Sequence, residues 1–218
     1  MQNVKARRTE VKRTTHRRIV TSASRLMRRK GLTRASVMDV MRGAGLTVGG
    51  FYAHFRSKRA MDLEVLEQTF DDVRARSDAR LGDSIGLDRI ERAVAHYLSA
   101  AHRDRPEDGC PVPAVVADLT YADQELRLAL GRFFDRWADR LAPHASETAH
   151  ASARERALAT IALCVGGVTI ARALRGQPLS DEFMRACATW ALPERTPRAT
   201  ASSSRRRRSR PRRRPSRP

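Results

Sequence analysis

Cysteine is scarce in this chain. Cys110, Cys164 and Cys187 are odd in number and widely spaced among 218 residues, which excludes a disulfide framework and a CxxC metal site and fits a reducing cytoplasm. No run of about 18 consecutive apolar residues occurs, so no membrane span is expected. The first thirty positions are charged throughout and lack an apolar stretch, so no secretory signal is expected either. The chain also lacks GxGxxG, P-loop, GxSxG and HExxH motifs. His96, His102, His144 and His150 have no ligand spacing to a carboxylate or thiol, and His16 sits in a basic helix. The expectation is a protein that is not an enzyme and needs no metal or cofactor. Finally, there is no alternating strand pattern and no repeat, which leaves an all-α class.

Acidic residues are nearly missing from one part of the chain, and that decides what the net charge of +19 means. Residues 1–59 hold 16 Lys/Arg against 2 acids, residues 60–192 hold 16 against 21, and residues 193–218 hold 11 against 1. A generic solvated surface would spread this charge. Its concentration at the two ends points to a polyanionic partner.

Residues 33–59, TRASVMDVMRGAGLTVGGFYAHFRSKR, carry the most information. Ser36 is placed to cap a short helix with Val37, Val40 and Met41 on one face, and Gly43-Ala44-Gly45 ends it. Thr47 then caps a second helix, Val48 to Phe55, and Ser57 caps a third with Lys58 and Arg59 in its first turn. This is the layout of a helix-turn-helix, whose second helix enters the DNA major groove. Gly49 and Gly50 each cost about 0.8–1 kcal/mol relative to alanine inside a helix, and close approach of backbone to a ligand is the usual compensation. Phe51 and Phe55 share an inward face, which turns Tyr52 and His54 towards phosphate oxygens. Lys58 and Arg59 oppose the helix dipole, so a phosphate between them is expected. The competing account is an amphipathic hairpin with incidental charge.

The segment Ala44 to Met61, AGLTVGGFYAHFRSKRAM, closely resembles the recognition segment of TetR-family transcriptional regulators, and the likeness extends over about residues 12–72. The resemblance implies an all-helical homodimer, usually a repressor, that binds a two-fold symmetric operator in double-stranded DNA. Its larger C-terminal domain would sense a small-molecule effector. It makes Thr47, Val48, Gly49, Tyr52, His54 and Lys58 DNA-contact positions, with Ser36 near the backbone and Gly50 beside them. Met41 and Gly43 depart from the usual pattern, where alanine and a larger polar residue stand. The expected organisation is a basic flexible arm (1–13), a helix-turn-helix domain (14–59), a helical ligand-binding and dimerisation domain (60–192) and a disordered Arg-rich tail (193–218). A cytoplasmic, nucleoid-associated protein is expected.

In the C-terminal part, helices are expected over Leu87 to Arg103, Val112 to Leu119, Asp123 to Leu141, Ser152 to Leu174 and, capped by Ser180, to about Leu192. Tyr97, Tyr121, Phe133, Phe134 and Trp137 either line a ligand pocket or form plain core. Cys110 precedes a helix in GCPVPA, which resembles a segment in a branch of the family with electrophile- or oxidant-responsive members. It is either a redox sensor with a lowered thiol pKa or an inert buried residue. Family resemblance places dimerisation on the last two helices, around Gly166, Gly167, Ile170, Phe183 and Trp190. The alternative is that the glycines make room inside the monomer. The tail cannot bury enough apolar surface to order itself. Its 26 residues reach at most roughly 85–95 Å, so a tail-driven, sequence-independent nucleic-acid binder is the rival function, and a solubility role competes for the tail.

Overall fold

The computed structural model describes residues 2–145, 147–148 and 150–192; the Arg-rich tail lies outside the described residues. Among those described, the fold is all-α, and the one bridge, Thr148 to Ala151, is isolated.

Helix α1 spans Gln2–Lys30 and so takes in the arm expected to be flexible. No glycine or proline interrupts this stretch. Residues from Ile19 onwards are anchored in the core, and once a helix is nucleated each further residue adds a hydrogen bond. The Thr9 and Thr15 hydroxyls donate to the Lys5 and Val11 carbonyls at 3.0 and 2.9 Å, and Glu10 pairs with Arg13. The basic arm is therefore a solvated helical extension. Gly31, at φ +81°, ends α1.

Helix α2 (Val37–Gly43) is capped by Ser36, whose hydroxyl accepts from the Asp39 amide at 3.1 Å. A 3₁₀ turn follows at Val48–Ala53, then α3 (Lys58–Leu81), capped by Ser57 through the Ala60 amide. Ile19, Met27, Val40, Met41, Phe51, Phe55, Met61, Val65 and Leu66 are all buried in the core they share. Helix α3 then continues past the boundary expected at residue 59, and Phe70 stacks on Phe133 at 4.0 Å.

Six further helices follow: α4 (Gly86–Tyr97), α5 (Ala100–Asp104), α6 (Val112–Thr120), α7 (Gln124–Leu141), α8 (Ala153–Ala173) and α9 (Pro178–Ala191). The single helix expected over Leu87 to Arg103 is thus broken at Leu98. Ser99 caps α5 by accepting from the His102 amide, and the His102 ring reaches back to the Tyr97 carbonyl at 2.7 Å. Ser180 is not the cap of α9. Pro178 starts that helix, because its missing N–H is no loss in a first turn, while Ser180 donates to the Ala171 carbonyl of α8. By length and composition alone α8 would cross a membrane. In the fold its apolar residues Ile161, Cys164, Val168 and Ala171 are core, and it packs on α9.

His102 is 6% exposed, and both ring nitrogens are engaged. Nε2 accepts the Cys110 N–H at 3.0 Å, which assigns the proton to Nδ1, the donor to Tyr97 O. Burial lowers its pKa to about 4, with Arg172, His96 and Arg80 adding to the effect against the Tyr97 bond. The unfolded chain takes up this proton near 6.5 and the folded chain only near 4. Stability is therefore fully present above pH 6.5 and falls by up to about 3 kcal/mol as pH drops from there to 4. Urea unfolding across that window is expected to show the loss, and His102→Gln to flatten it.

Candidate nucleic-acid interface

The Val48–Ala53 segment is a 3₁₀ turn, shorter and tighter than the helix expected from Val48 to Phe55. The Gly50 amide donates to the Thr47 carbonyl at 3.1 Å and the His54 amide to the Phe51 carbonyl at 2.9 Å. Phe51 and Phe55 are buried and stacked with centroids 5.6 Å apart, pinning the turn to α1 and α2. That anchoring pushes the opposite face outwards. Thr47, Val48, Gly49 and Gly50 are exposed, and Tyr52 is 74% exposed with its ring edge against Phe51. The Thr47 hydroxyl makes no capping bond. A Cβ at Gly49 would meet nothing within 4 Å, and one at Gly50 only the Met41 Cε at 3.7 Å. Neither glycine is required by packing within the chain.

Two expected contacts take a different form. The Lys58 ammonium is turned inwards, donating to the Leu32 carbonyl at 3.0 Å and to Asp62 at 2.6 Å. Burial raises the pKa of the Asp62 carboxyl, and the Lys58 bond opposes the rise. Arg59 pairs with Asp123 at 2.7 Å and Glu125 at 2.8 Å at the start of α7. Each of these two cations is thus paired with different carboxylates of the chain itself, and the phosphate site expected between them is not formed. His54 is half-buried, with Nδ1 enclosed and unbonded among the described residues. Burial, with His16 and Lys12 nearby, lowers its pKa. The His16 ring stacks on Phe55 and bonds Glu64 of α3 at 2.5 Å.

Exposed cations of this part of the chain that form no ion pair among the described residues include Lys12, Arg17 and Arg18 on α1, Arg34 before α2, and Arg56 just after Phe55, and Arg18 donates to the Ala44 carbonyl. Charge asymmetry along the sequence flagged their region but not the individual residues. Among the described residues no three His, Cys, Asp or Glu side chains gather where a metal could bind.

Two family models match this architecture. One, described as bacterial regulatory proteins of the tetR family, covers residues 19–65. The other, a transcriptional regulator LmrA/YxaF-like C-terminal domain, covers residues 87–184. The chain belongs to the TetR family. Relatives include the HTH-type transcriptional repressor DhaR of Mycobacterium sp. (strain GP1), 25% identical over 119 residues, or 55% of this chain and 59% of that protein. The match thus spans about three fifths of the length of DhaR. Among solved structures, a TetR regulator from Chloroflexus aurantiacus superposes with a TM-score of 0.71 at 24% identity, covering 83% of this chain and 96% of that one. A putative regulator from Saccharomonospora viridis, solved with choline, gives 0.66 at 20% identity, covering 80% and 94%.

A cavity of about 430 Å³ opens between α3, α4 and α7. Tyr97, Phe133 and Trp137 line it. Tyr121 does not: it follows α6 at a turn and is 92% exposed. Phe134 is also outside the lining, since it lies one residue, and so about 100°, further round α7 than Phe133.

Among the expected dimer residues, Ile170 and Trp190 are exposed, at 40% and 79%, and Phe183 is half-buried. Gly167 faces inwards. A Cβ there would lie 2.9 Å from Leu98 and 3.0 Å from Cys187, so this glycine makes room inside the monomer, while Gly166 has open space. Cys110 lines the cavity but is 4% exposed. Burial pushes its thiol up, outweighing the Tyr97 and Val112 bonds and the Arg172 and Arg28 charges that pull it down. The lowered pKa on which a sensor role rested is therefore not what this site produces.

Two outcomes follow. Gly49→Ala is expected to leave the unfolding midpoint unchanged or raise stability by up to about 1 kcal/mol, yet to weaken DNA binding in an anisotropy titration. Equal affinity would show that no backbone approaches a ligand there. In native protein, Ellman's reagent is expected to react first with half-buried Cys187, and with Cys110 and Cys164 only on denaturation. The Cys164 thiol is pushed up to about 12 by burial, with Cys187 adding.

Proposed function

We propose that the chain is a homodimeric repressor that binds a two-fold symmetric operator and is released by a small-molecule effector, acting in the cytoplasm on nucleoid DNA. The observation that carries this is the outward face of the 3₁₀ turn, Thr47 to Tyr52. It is rigidly backed by Phe51 and Phe55, surrounded by cations, and built on two glycines that the fold does not need. Family membership supports the same reading over a tail-driven binder. Dimerisation through α8 and α9 is supported by their exposed apolar residues Leu158, Ile170, Leu179 and Trp190.

The effector route runs through contacts between the two ends of the chain. Asp118 of α6 accepts from the Thr33 amide at 3.1 Å, and a Cβ on Gly31 would sit 2.8 Å from the Ala114 carbonyl of α6. Arg59 ties the start of α3 to α7. Helices α3 and α7 also wall the cavity. An effector that fits a different spacing of these helices needs to favour it by only about 1–3 kcal/mol.

Binding-site selection with the full chain is the test. A symmetric site with half-sites at least one helical turn apart, about 34–36 Å, is expected. Removing residues 193–218 is expected to preserve the sequence preference while lowering the salt dependence of affinity. Recovery of no sequence preference, with affinity lost on tail removal, would overturn the proposal.

A further inference from the structure

The cavity between α3, α4 and α7 has a charge pattern that narrows what it holds. Its inner end is aromatic: Phe70 stacks on Phe133, and Trp137 lies 5.6 Å from Phe133 and 5.5 Å from Tyr97. Its volume of about 430 Å³ falls within the range of small-molecule sites.

An aromatic floor alone accepts neutral rings or cations, since ring faces attract positive charge. The wall decides between them. Seven arginines line the cavity against two carboxylates, Asp71 and Asp108. Arg140 and Arg89 share Asp78, and Arg74 is 3.5 Å from Asp71. Arg80 and Arg136 have no carboxylate partner among the described residues. The field of Arg80 reaches the lining: burial first, and Arg80 with it, lowers the pKa of both His96 and His102. A cation entering here meets like charge in a partly enclosed space, whereas a carboxylate or phosphate meets planar guanidinium donors that suit it.

We propose that the cavity binds an amphipathic organic anion. Its aromatic or acyl body packs on Phe70, Phe133 and Trp137, and its carboxylate or phosphate head is held by the arginine wall that includes Arg80 and Arg136. This rests on the cavity being the effector site of the proposed repressor and adds the chemical class of that effector.

The test uses the DNA-free full chain and two fluorescent probes with one ring system: 8-anilinonaphthalene-1-sulfonate and its uncharged parent N-phenyl-1-naphthylamine. The anion is expected to bind about tenfold more tightly or better, the gain of a charge-assisted hydrogen bond. Arg80→Gln with Arg136→Gln, both at exposed positions, is expected to erase that gap and leave the neutral probe unchanged. If the double variant misfolds by circular dichroism, Arg80→Gln alone is expected to narrow the gap. Ala93→Trp, which fills the cavity, is expected to abolish binding of both probes. Displacement by dodecanoate or by dodecyl phosphate tells a carboxylate effector from a phosphate one. Equal affinity for the two probes, displacement by dodecyltrimethylammonium, or undiminished binding to the Ala93→Trp protein would overturn the proposal. A protein that selects an operator but shows no anion preference loses this inference alone. One that prefers the anion but selects no operator loses the repressor reading alone.

Discussion

Helix α3 belongs to two packing environments, and the rest of the molecule is arranged around that fact. Its first turns place Met61, Val65 and Leu66 against α1, α2 and the 3₁₀ turn. Further along, Phe70 stacks on Phe133, and Leu81 reaches the end of the cavity. A rigid helix cannot shift at one end without shifting at the other. Interiors packed at near-crystalline density transmit such displacements instead of absorbing them. Arg59 and the Gly31 bend add two further points at which the DNA-facing part leans on α6 and α7.

Much of this was legible in the residue order. The caps Ser36, Ser57 and Ser152 are local devices that need only the neighbouring amides, and all three bond as their spacing suggests, while Asp123, expected inside its helix, caps it instead. The buried stripe of α7 follows helical periodicity in the same way. What the sequence hid are matters of long-range partnership. Lys58 and Arg59 look alike as first-turn cations, yet one turns to Asp62 four residues on and the other to acids 64 and 66 residues away. Gly166 and Gly167 are adjacent, and only the fold places Leu98 and Cys187 against the second. The break at Leu98 follows from a histidine ring bonding back to a carbonyl, which no periodicity reports.

Cys110 illustrates how two opposite effects on one group are resolved by place. The amide of Val112 and two guanidinium groups favour the thiolate, and enclosure disfavours it by more. Proximity in sequence to a helix start carries the first effect, while the second depends on the fold burying the residue, whose own amide donates to His102 of α5.

The helical state of residues 2–13 changes the thermodynamics of any encounter with a polyanion. An unstructured basic arm gives up backbone freedom of about 1–2 kcal/mol for each residue it orders on contact. A stretch already wound into α1 has lost that freedom on folding. At 1.5 Å of rise per residue, the 29 residues of α1 form a rod about 43 Å long. It carries Lys5, Arg7, Arg8 and Lys12 at fixed separations well away from the buried core. Such a rod meets its partner as a rigid body, so its contribution depends on the angle at which α1 leaves the core, and a change in that angle alters several charge contacts together.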